Sequence, residues 1–308
     1  MDASVSSQSV SASAVTVVIP VFDSGATLAE TLDSVFAQTY AQTRIVVVDD
    51  GSTDPQTLQL LDELRTDDRL QVIRQDNGGP AAALNAGIAV ATGAYFLPLG
   101  SDDRISPTYV AEAVAVLDAQ PDVPLVYSRA EFFGRLSGPW RLPDFDWTEF
   151  LVHNQIFAAA LFRRDDWAAV GGYDETMRRG REDHDFVLRV LGRGGVPHRL
   201  EGVHFFYRIG DAGSVNSRMT RDDLIAAHSR ILRNNLQTYA DHAEDLFTFI
   251  FRQHDQIQDL KYRYALLERL RVRFPRAIGV AKSIRNALRR VWRTLSSRAR
   301  RVGGRSSR

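Results

Sequence analysis

Residues 44–54 read RIVVVDDGSTD. Ile45–Val48 is a β-branched run with no polar alternation, the pattern of a strand covered on both faces. Two acids, Asp49 and Asp50, follow without a spacer, and Gly51 to Asp54 then supply a turn and a cap for the next helix. The turn accounts for Ser52, Thr53 and Asp54. It does not account for two carboxylates at the mouth of a hydrophobic strand, where an acid can accept a hydrogen bond from a base N–H or a ribose hydroxyl. In an open α/β sheet, ligands bind at the carboxyl ends of the strands.

The same arrangement recurs on either side. Val15–Val21 (VTVVIPV) is a second buried run, followed by helical spacing of Leu28, Leu32, Val35 and Phe36. Leu70–Ile73, Ala94–Leu99 and Leu125–Ser128 read as further strands, with helices over 80–91 and from Pro107 to about Ala119. Strands alternating with helices predict a mostly parallel sheet flanked by helices. The alternation ends near Glu131. Residues 131–150, rich in aromatic residues, Gly and Pro, read as a surface excursion, and from Thr220 the pattern is helical.

Composition sets the class. The chain has 308 residues, 44% hydrophobic and 25% charged, a soluble globular profile. It has no cysteine, which excludes disulfides, thiolate metal sites and cysteine nucleophiles and fits a cytoplasmic enzyme better than a small secreted scaffold. Residues 1–14 are Ser/Ala-rich, lack the features of a signal peptide and read as a disordered lead. The net charge of zero hides an asymmetry: from Lys261 onward there are 16 bases and one acid, Glu268, against 22 bases and 37 acids before it. Three parts are expected: the lead, an α/β domain over 15–217, and a helical extension over 218–308 with a basic tail.

Three more clusters sit at strand ends or helix starts. Asn77-Gly78-Gly79-Pro80, with Asn85 and Gly87, places glycines before a helix, where backbone can approach a phosphate or simply turn. Gly100-Ser101-Asp102-Asp103 closes a strand with paired carboxylates suited to a hard divalent cation, or to a polar loop. Glu182-Asp183-His184-Asp185 opens a helix. Acids favour a first turn, but this density exceeds what a cap needs, and a carboxylate there can serve as a general base.

Taken in order, these pieces resemble the family-2 glycosyltransferases of GT-A fold. The resemblance rests on VVIPVF (17–22), VVVDDGSTD (46–54), NGGPAAALNAGI (77–88), ATGAYFLPLGSDD (91–103), GGYDE (171–175), EDHD (182–185) and YRIGDAGS (207–214). It implies an inverting enzyme that moves a sugar from a nucleotide-diphosphate sugar to a hydroxyl of a glycan or lipid-linked acceptor. It implies a donor site drawn from Pro20, Phe22, Asp49, Asp50, Asn77, Gly79, Asn85, Ser101 and Asp102, with Asp50 on the nucleobase. It further implies Mn²⁺ or Mg²⁺ on Asp102, with Asp103 and Asp211 as further ligands, and Asp183 as base supported by Glu182. Two positions depart from the pattern. Gly100 stands where the first acid of D-x-D is expected, and Asp211 where a histidine is common. The altered D-x-D motivates an alternative, a catalytically inactive relative acting as a binding or scaffold protein.

The remaining signals are secondary. His184 is given no role, and His153 and Asn154 precede a buried run and face either the acceptor or the core. Trp140 and Trp147 suit sugar stacking or loop packing equally. Ile257, Leu260, Tyr264 and Leu267 form a short seam at 3-4-3 spacing, too short to set an oligomer, with a homo-oligomer as the open expectation. In the tail, Val280, Ile284, Leu288, Val291, Trp292 and Leu295 share a helical face flanked by Lys282, Arg285, Arg289, Arg290 and Arg293. That face predicts peripheral attachment to an anionic membrane surface or packing on the body. Nucleic acid is not an expected partner, because the tail carries no recognised motif and the body is acidic.

Overall fold

The computed structural model describes residues 11–210 and 219–273. Nine strands form one sheet: β1 (Ser11–Val21), β2 (Thr43–Asp49), β3 (Leu70–Arg74), β4 (Gly93–Pro98), β5 (Arg104–Ile105), β6 (Leu125–Gly134), β7 (Gly138–Trp140), β8 (Leu161–Arg163) and β9 (His198–Ile209). The helices are α1 (Gly25–Phe36), α2 (Pro55–Leu64), α3 (Pro80–Val90), α4 (Tyr109–Ala119), α5 (Trp147–Phe150), α6 (Arg164–Ala169), α7 (Glu182–Leu191), α8 (Arg221–Asn234), α9 (Leu236–Asp241) and α10 (Ala243–Arg273).

Strand order is β3-β2-β1-β4-β8-β6-β9-β5, with β7 on β6. The first four strands are parallel, and the order reverses at β1, which places a crevice between the carboxyl ends of β1 and β4. In the second half β8 runs antiparallel to β4 and β6, β6 and β9 are parallel, and β5 is antiparallel to β9. Val15, Val17, Val18, Ile19 and Val21 of β1 and Ile45–Val48 of β2 are all buried. Each such side chain contributes about 1.5–3 kcal/mol. This is why an unbroken apolar run, rather than an alternating one, marks these strands.

Residues 131–150 correct one expectation. They are not an irregular excursion: β6 continues to Gly134 and turns back as β7, with Ala130 opposite Trp140 and Phe132 opposite Gly138. The extension is held by rings, since Phe132 stacks on Trp140 at 5.1 Å and Trp140 meets Tyr207 of β9 at 5.2 Å.

The first compact unit extends to Leu246, past the 217/218 boundary read from the sequence. The reason is polar. Asp185 of α7 is fully buried, pairs with Arg189 at 2.8 Å and accepts from Asn234 and Asn235, so α8 is fastened to the domain. The second unit begins at Phe247. Its described part is the remainder of α10, which exposes Ile257, Leu260 and Tyr264. The tail face over 275–301 lies outside the described residues. Among the described residues no helix is long and apolar enough to cross a membrane.

Gly87 of α3 shows how closely helix and sheet approach. A Cβ there would lie 2.4 Å from Val18 Cγ1 and 2.9 Å from Val48 Cγ2. Alanine favours a helix over glycine by about 1 kcal/mol, whereas overpacking costs about 1–3 kcal/mol. The clash should win, so Gly87→Ala is expected to lower the melting temperature by a few degrees. A rise would show that the helix has room to shift.

Candidate functional site at the carboxyl ends of the strands

Four loops meet at the strand ends, and acids tie them together. Asp50, buried after β2, accepts from Gln75 Nε2 and from the N–H groups of Gly78 and Gly79, each at 2.8 Å. It therefore shapes the loop that leads into α3. Asp49 accepts from the Ser52 N–H at 2.8 Å, and its Oδ2, 3.3 Å from Arg74, is buried without a hydrogen-bond partner. Asp23, in the left-handed region at φ 48°, accepts from the N–H groups of Thr53 and Asp54. Nothing in the sequence marks it, since a polar residue after a strand reads as an ordinary turn. Ser24 Oγ and Ser101 Oγ lie 2.7 Å apart, and Thr27 donates to the Ser101 carbonyl, joining the β1 and β4 ends. Phe22, 52% exposed, extends from β1 beside these loops, and Pro20 is half-buried.

The pair after β4 differs in burial. Asp102 is exposed, whereas Asp103 is buried and accepts the Arg208 N–H at 2.9 Å, which ties β9 to the end of β4. Burial, and then the charge of Asp102, push the Asp103 carboxyl well above the usual carboxylate range. A Cβ on Gly100 would lie 2.9 Å from Asp103 Oδ2 and 3.2 Å from Asp102 Oδ1. Glycine thus leaves room for two converging carboxylate oxygens, a donor set that suits a hard divalent cation. Asp211 lies outside the described residues, and among those described no three His, Asp or Glu side chains gather as a metal shell.

Asn85 departs from its expected place in the donor site. Its amide donates to the Tyr173 carbonyl and to Glu175, and its carbonyl accepts from Trp167 Nε1 and the Tyr173 N–H. All four hydrogen-bonding positions are used inside the protein. Asn85 is therefore a brace between α3 and residues 171–175. A Cβ on Gly172, at φ 75°, would lie 2.6 Å from Asn85 Oδ1, which accounts for a glycine there. Asn77 is exposed, and Gly79 adjoins Arg178, whose Cγ would be 3.6 Å from an added Cβ. The loop shaped by Asp50 thus borders the loop that leads into α7.

That loop ends at Arg181, held left-handed at φ 73°, and α7 opens at once with Glu182 and Asp183. A non-glycine residue in this region carries strain that the surroundings must hold. Asp183 accepts from Asn154 Nδ2 at 2.9 Å and from the His184 N–H at 2.8 Å, while Glu182 Oε2 is buried without a partner among the described residues. Burial raises both carboxyls above the usual range, and the charge of Asp183 adds to it for Glu182. Asn154, one of two residues left between acceptor and core, is thus the polar support of Asp183. His184 is fully buried, its Nε2 lies 2.7 Å from the Phe150 carbonyl, and burial pushes it down to about 4, so it packs as a neutral ring. Trp147 stacks on His242 at 4.0 Å, a packing role.

The sequence model described as "Glycosyl transferase family 2" matches residues 16–171. An uncharacterized glycosyltransferase of Rickettsia typhi is 34% identical over 227 residues, covering 67% of each chain. The O-antigen biosynthesis protein RfbC of Myxococcus xanthus is 31% identical over 239 residues, 75% of this chain and 18% of that protein. The chain spans 25% and 18% of the length of the first two curated relatives it matches. Among solved structures, S. aureus TarS in complex with UDP-GlcNAc aligns with a TM-score of 0.63 at 19% identity, over 76% of this chain and 71% of that one. The likeness to TarS shows a shared fold.

The acid pair gives a pH signature. Unfolded carboxyls titrate near ~4, and the folded pair titrates higher. A raised carboxyl destabilises the fold above its folded value, and that cost recedes as pH falls toward the unfolded value. The protein should therefore gain stability from about pH 8 to about pH 5 relative to Asp183→Asn, which removes one raised carboxyl and its effect on Glu182. Melting temperatures across that range check this, and parallel curves for the two proteins would contradict it.

Proposed function

The chain belongs to glycosyl transferase family 2, and from that premise we propose that it is an inverting sugar transferase using a nucleotide-diphosphate sugar and the hydroxyl of a glycan or lipid-linked acceptor. The observation that carries this reading is the enclosed Glu182–Asp183 pair at the head of α7, beside the loop that Asp50 organises. The nucleoside half of the donor lies against Phe22 and the loops organised by Asp49 and Asp50. Ser101 and Asp102 face the diphosphate.

Asp183 acts as the base. It takes the proton of the acceptor hydroxyl as that oxygen bonds to the anomeric carbon and the bond from that carbon to the diphosphate oxygen breaks. A carboxyl raised by burial is better matched to proton abstraction near neutrality than an ordinary one. Asn154 orients it, burial raises its proton affinity, and Glu182 stands beside it as support. Asp102 and Asp103 would hold Mn²⁺ or Mg²⁺, with Asp211 as a further ligand, and the cation would offset charge developing on the leaving diphosphate.

Release of nucleoside diphosphate from a panel of donors, with a glycan acceptor mixture, tests the reading. Asp183→Asn should lower turnover by at least ~10²-fold with little change in donor affinity, and EDTA should abolish release until Mn²⁺ or Mg²⁺ is restored. Release at a normal rate by Asp183→Asn would remove it as the base. Absence of release with every donor would favour the scaffold alternative.

The basic tail adds a proposal about place. Each base close to an anionic leaflet contributes on the order of 1 kcal/mol, so the tail is assigned to the cytoplasmic membrane surface. The full chain should sediment with anionic but not neutral vesicles, and a chain ending at Phe274 with neither. Equal sedimentation of the two would return the tail to packing.

A further inference from the structure

A second concave site lies away from the acid cluster. A cavity of about 360 Å³ opens between β6, β7 and β9, lined by Arg129, Pro139, Trp140, Arg141, Leu142 and Arg199 among others. Among the described residues, three guanidinium groups and no carboxylate line it. Outside the lining, Glu201 pairs with Arg129 and Asp144 with Arg199. Arg199 also donates to the Pro143 carbonyl, and its side chain is only 17% exposed, so it is fixed in place. Arg141 is exposed and makes no hydrogen bond or ion pair among the described residues. The groove therefore carries one uncompensated positive charge beside two arginines already oriented.

Its wall is apolar and rigid. Trp140 is clamped by Phe132, Tyr207 and Phe157 at 5.1, 5.2 and 6.2 Å. Pro139, Leu142 and Val203 complete an apolar lining of the kind that small-molecule sites combine with a few convergent polar groups. A flat indole beside guanidinium forks suits a sugar ring that bears an anion: the C–H face of the ring lies on Trp140, and the forks take a carboxylate or phosphate.

The groove is connected to the acid pair. Phe157 packs on Trp140 and on Phe205, and Asn154, three residues earlier, holds Asp183. Three residues of chain span at most ~11 Å. The wall of the groove is thus within a few sugar rings of the carboxylate assigned as base. Tyr207, which touches Trp140, also precedes Arg208, whose N–H holds Asp103.

On the reading of this chain as a glycosyltransferase, we propose that the groove between β6, β7 and β9 is an acceptor subsite for an acidic saccharide, with Trp140 under a sugar ring and Arg141 and Arg199 on its carboxylate or phosphate. The concave shape and small volume favour a short saccharide over a nucleic acid or a lipid surface.

Calorimetry on the full chain at low ionic strength tests this, with three probes: a galacturonate tetramer, its methyl ester, and mannose 6-phosphate. UDP is titrated in parallel. At least one acidic probe should bind, and the ester at least ~10-fold more weakly, the scale of a lost charge-assisted hydrogen bond. Preference between the two acids identifies carboxylate or phosphate as the anion. Arg141→Gln, at an exposed position, should weaken the acidic probe by a similar factor and leave UDP binding unchanged, as should Trp140→Phe to a lesser degree. Arg44→Gln, remote from the groove, should change neither. Equal binding of acid and ester, no binding of either acid, or an unaffected Arg141→Gln variant would overturn the subsite. Loss of UDP binding in the unaltered chain would instead count against the transferase reading.

Discussion

The carboxylate of Asp50 accepts three N–H groups from the segment after β3, and the form of the strand-end surface depends on that contact. Two other acids work the same way. Asp23 gathers the N–H groups of Thr53 and Asp54, and Asp103 takes the N–H of Arg208 across 105 residues of sequence. Loops that would otherwise move independently are thereby held in one arrangement. The strands supply position, and the buried acids supply rigidity.

The same acids explain why part of the site was legible in the sequence. Ile45–Val48 is buried on both faces, so its apolar run ends at Asp49 and Asp50 and position marks that pair, whereas Asp102 and Asp183 were marked by their place in the family motifs. Direction was not legible. Asp102 and Asp103 differ by one residue, yet one is exposed and the other locked inward by a partner on β9. Asn85 was placed in the donor site by its motif, whereas Trp167, Tyr173 and Glu175, more than 80 residues away, consume its bonds. The β6–β7 extension escaped notice for the same reason. Its order comes from Phe132, Trp140 and Tyr207 meeting across strands, not from any local period.

Chemically, the molecule separates two kinds of acid. Asp23 and Asp50, after β1 and β2, accept backbone N–H groups and act as fasteners. Those at the head of α7 are enclosed with few donors, and Glu182 Oε2 has none among the described residues. Enclosure without donors raises proton affinity, and the arrangement persists because Asn154 and the left-handed Arg181 hold it from either side. Asp185, two residues further on, is buried too, but Arg189, Asn234 and Asn235 satisfy it and turn it into the anchor for α8. Three acids in four positions thus divide into a raised pair and a satisfied anchor according to their partners.

The central claim is that acid-tied loops at the carboxyl ends of β1, β2 and β4 build a pocket for a nucleoside diphosphate. Calorimetric titration of UDP and other nucleoside diphosphates into the protein and into Asp50→Ala, with folding of the variant verified by circular dichroism, tests it most directly. The account predicts saturable binding of at least one nucleoside diphosphate, weakened at least ~10-fold in the variant, because the loop over 77–79 loses the carboxylate that shapes it. Equal affinity in the two proteins, or no binding of any nucleoside diphosphate by the unaltered chain, would contradict it.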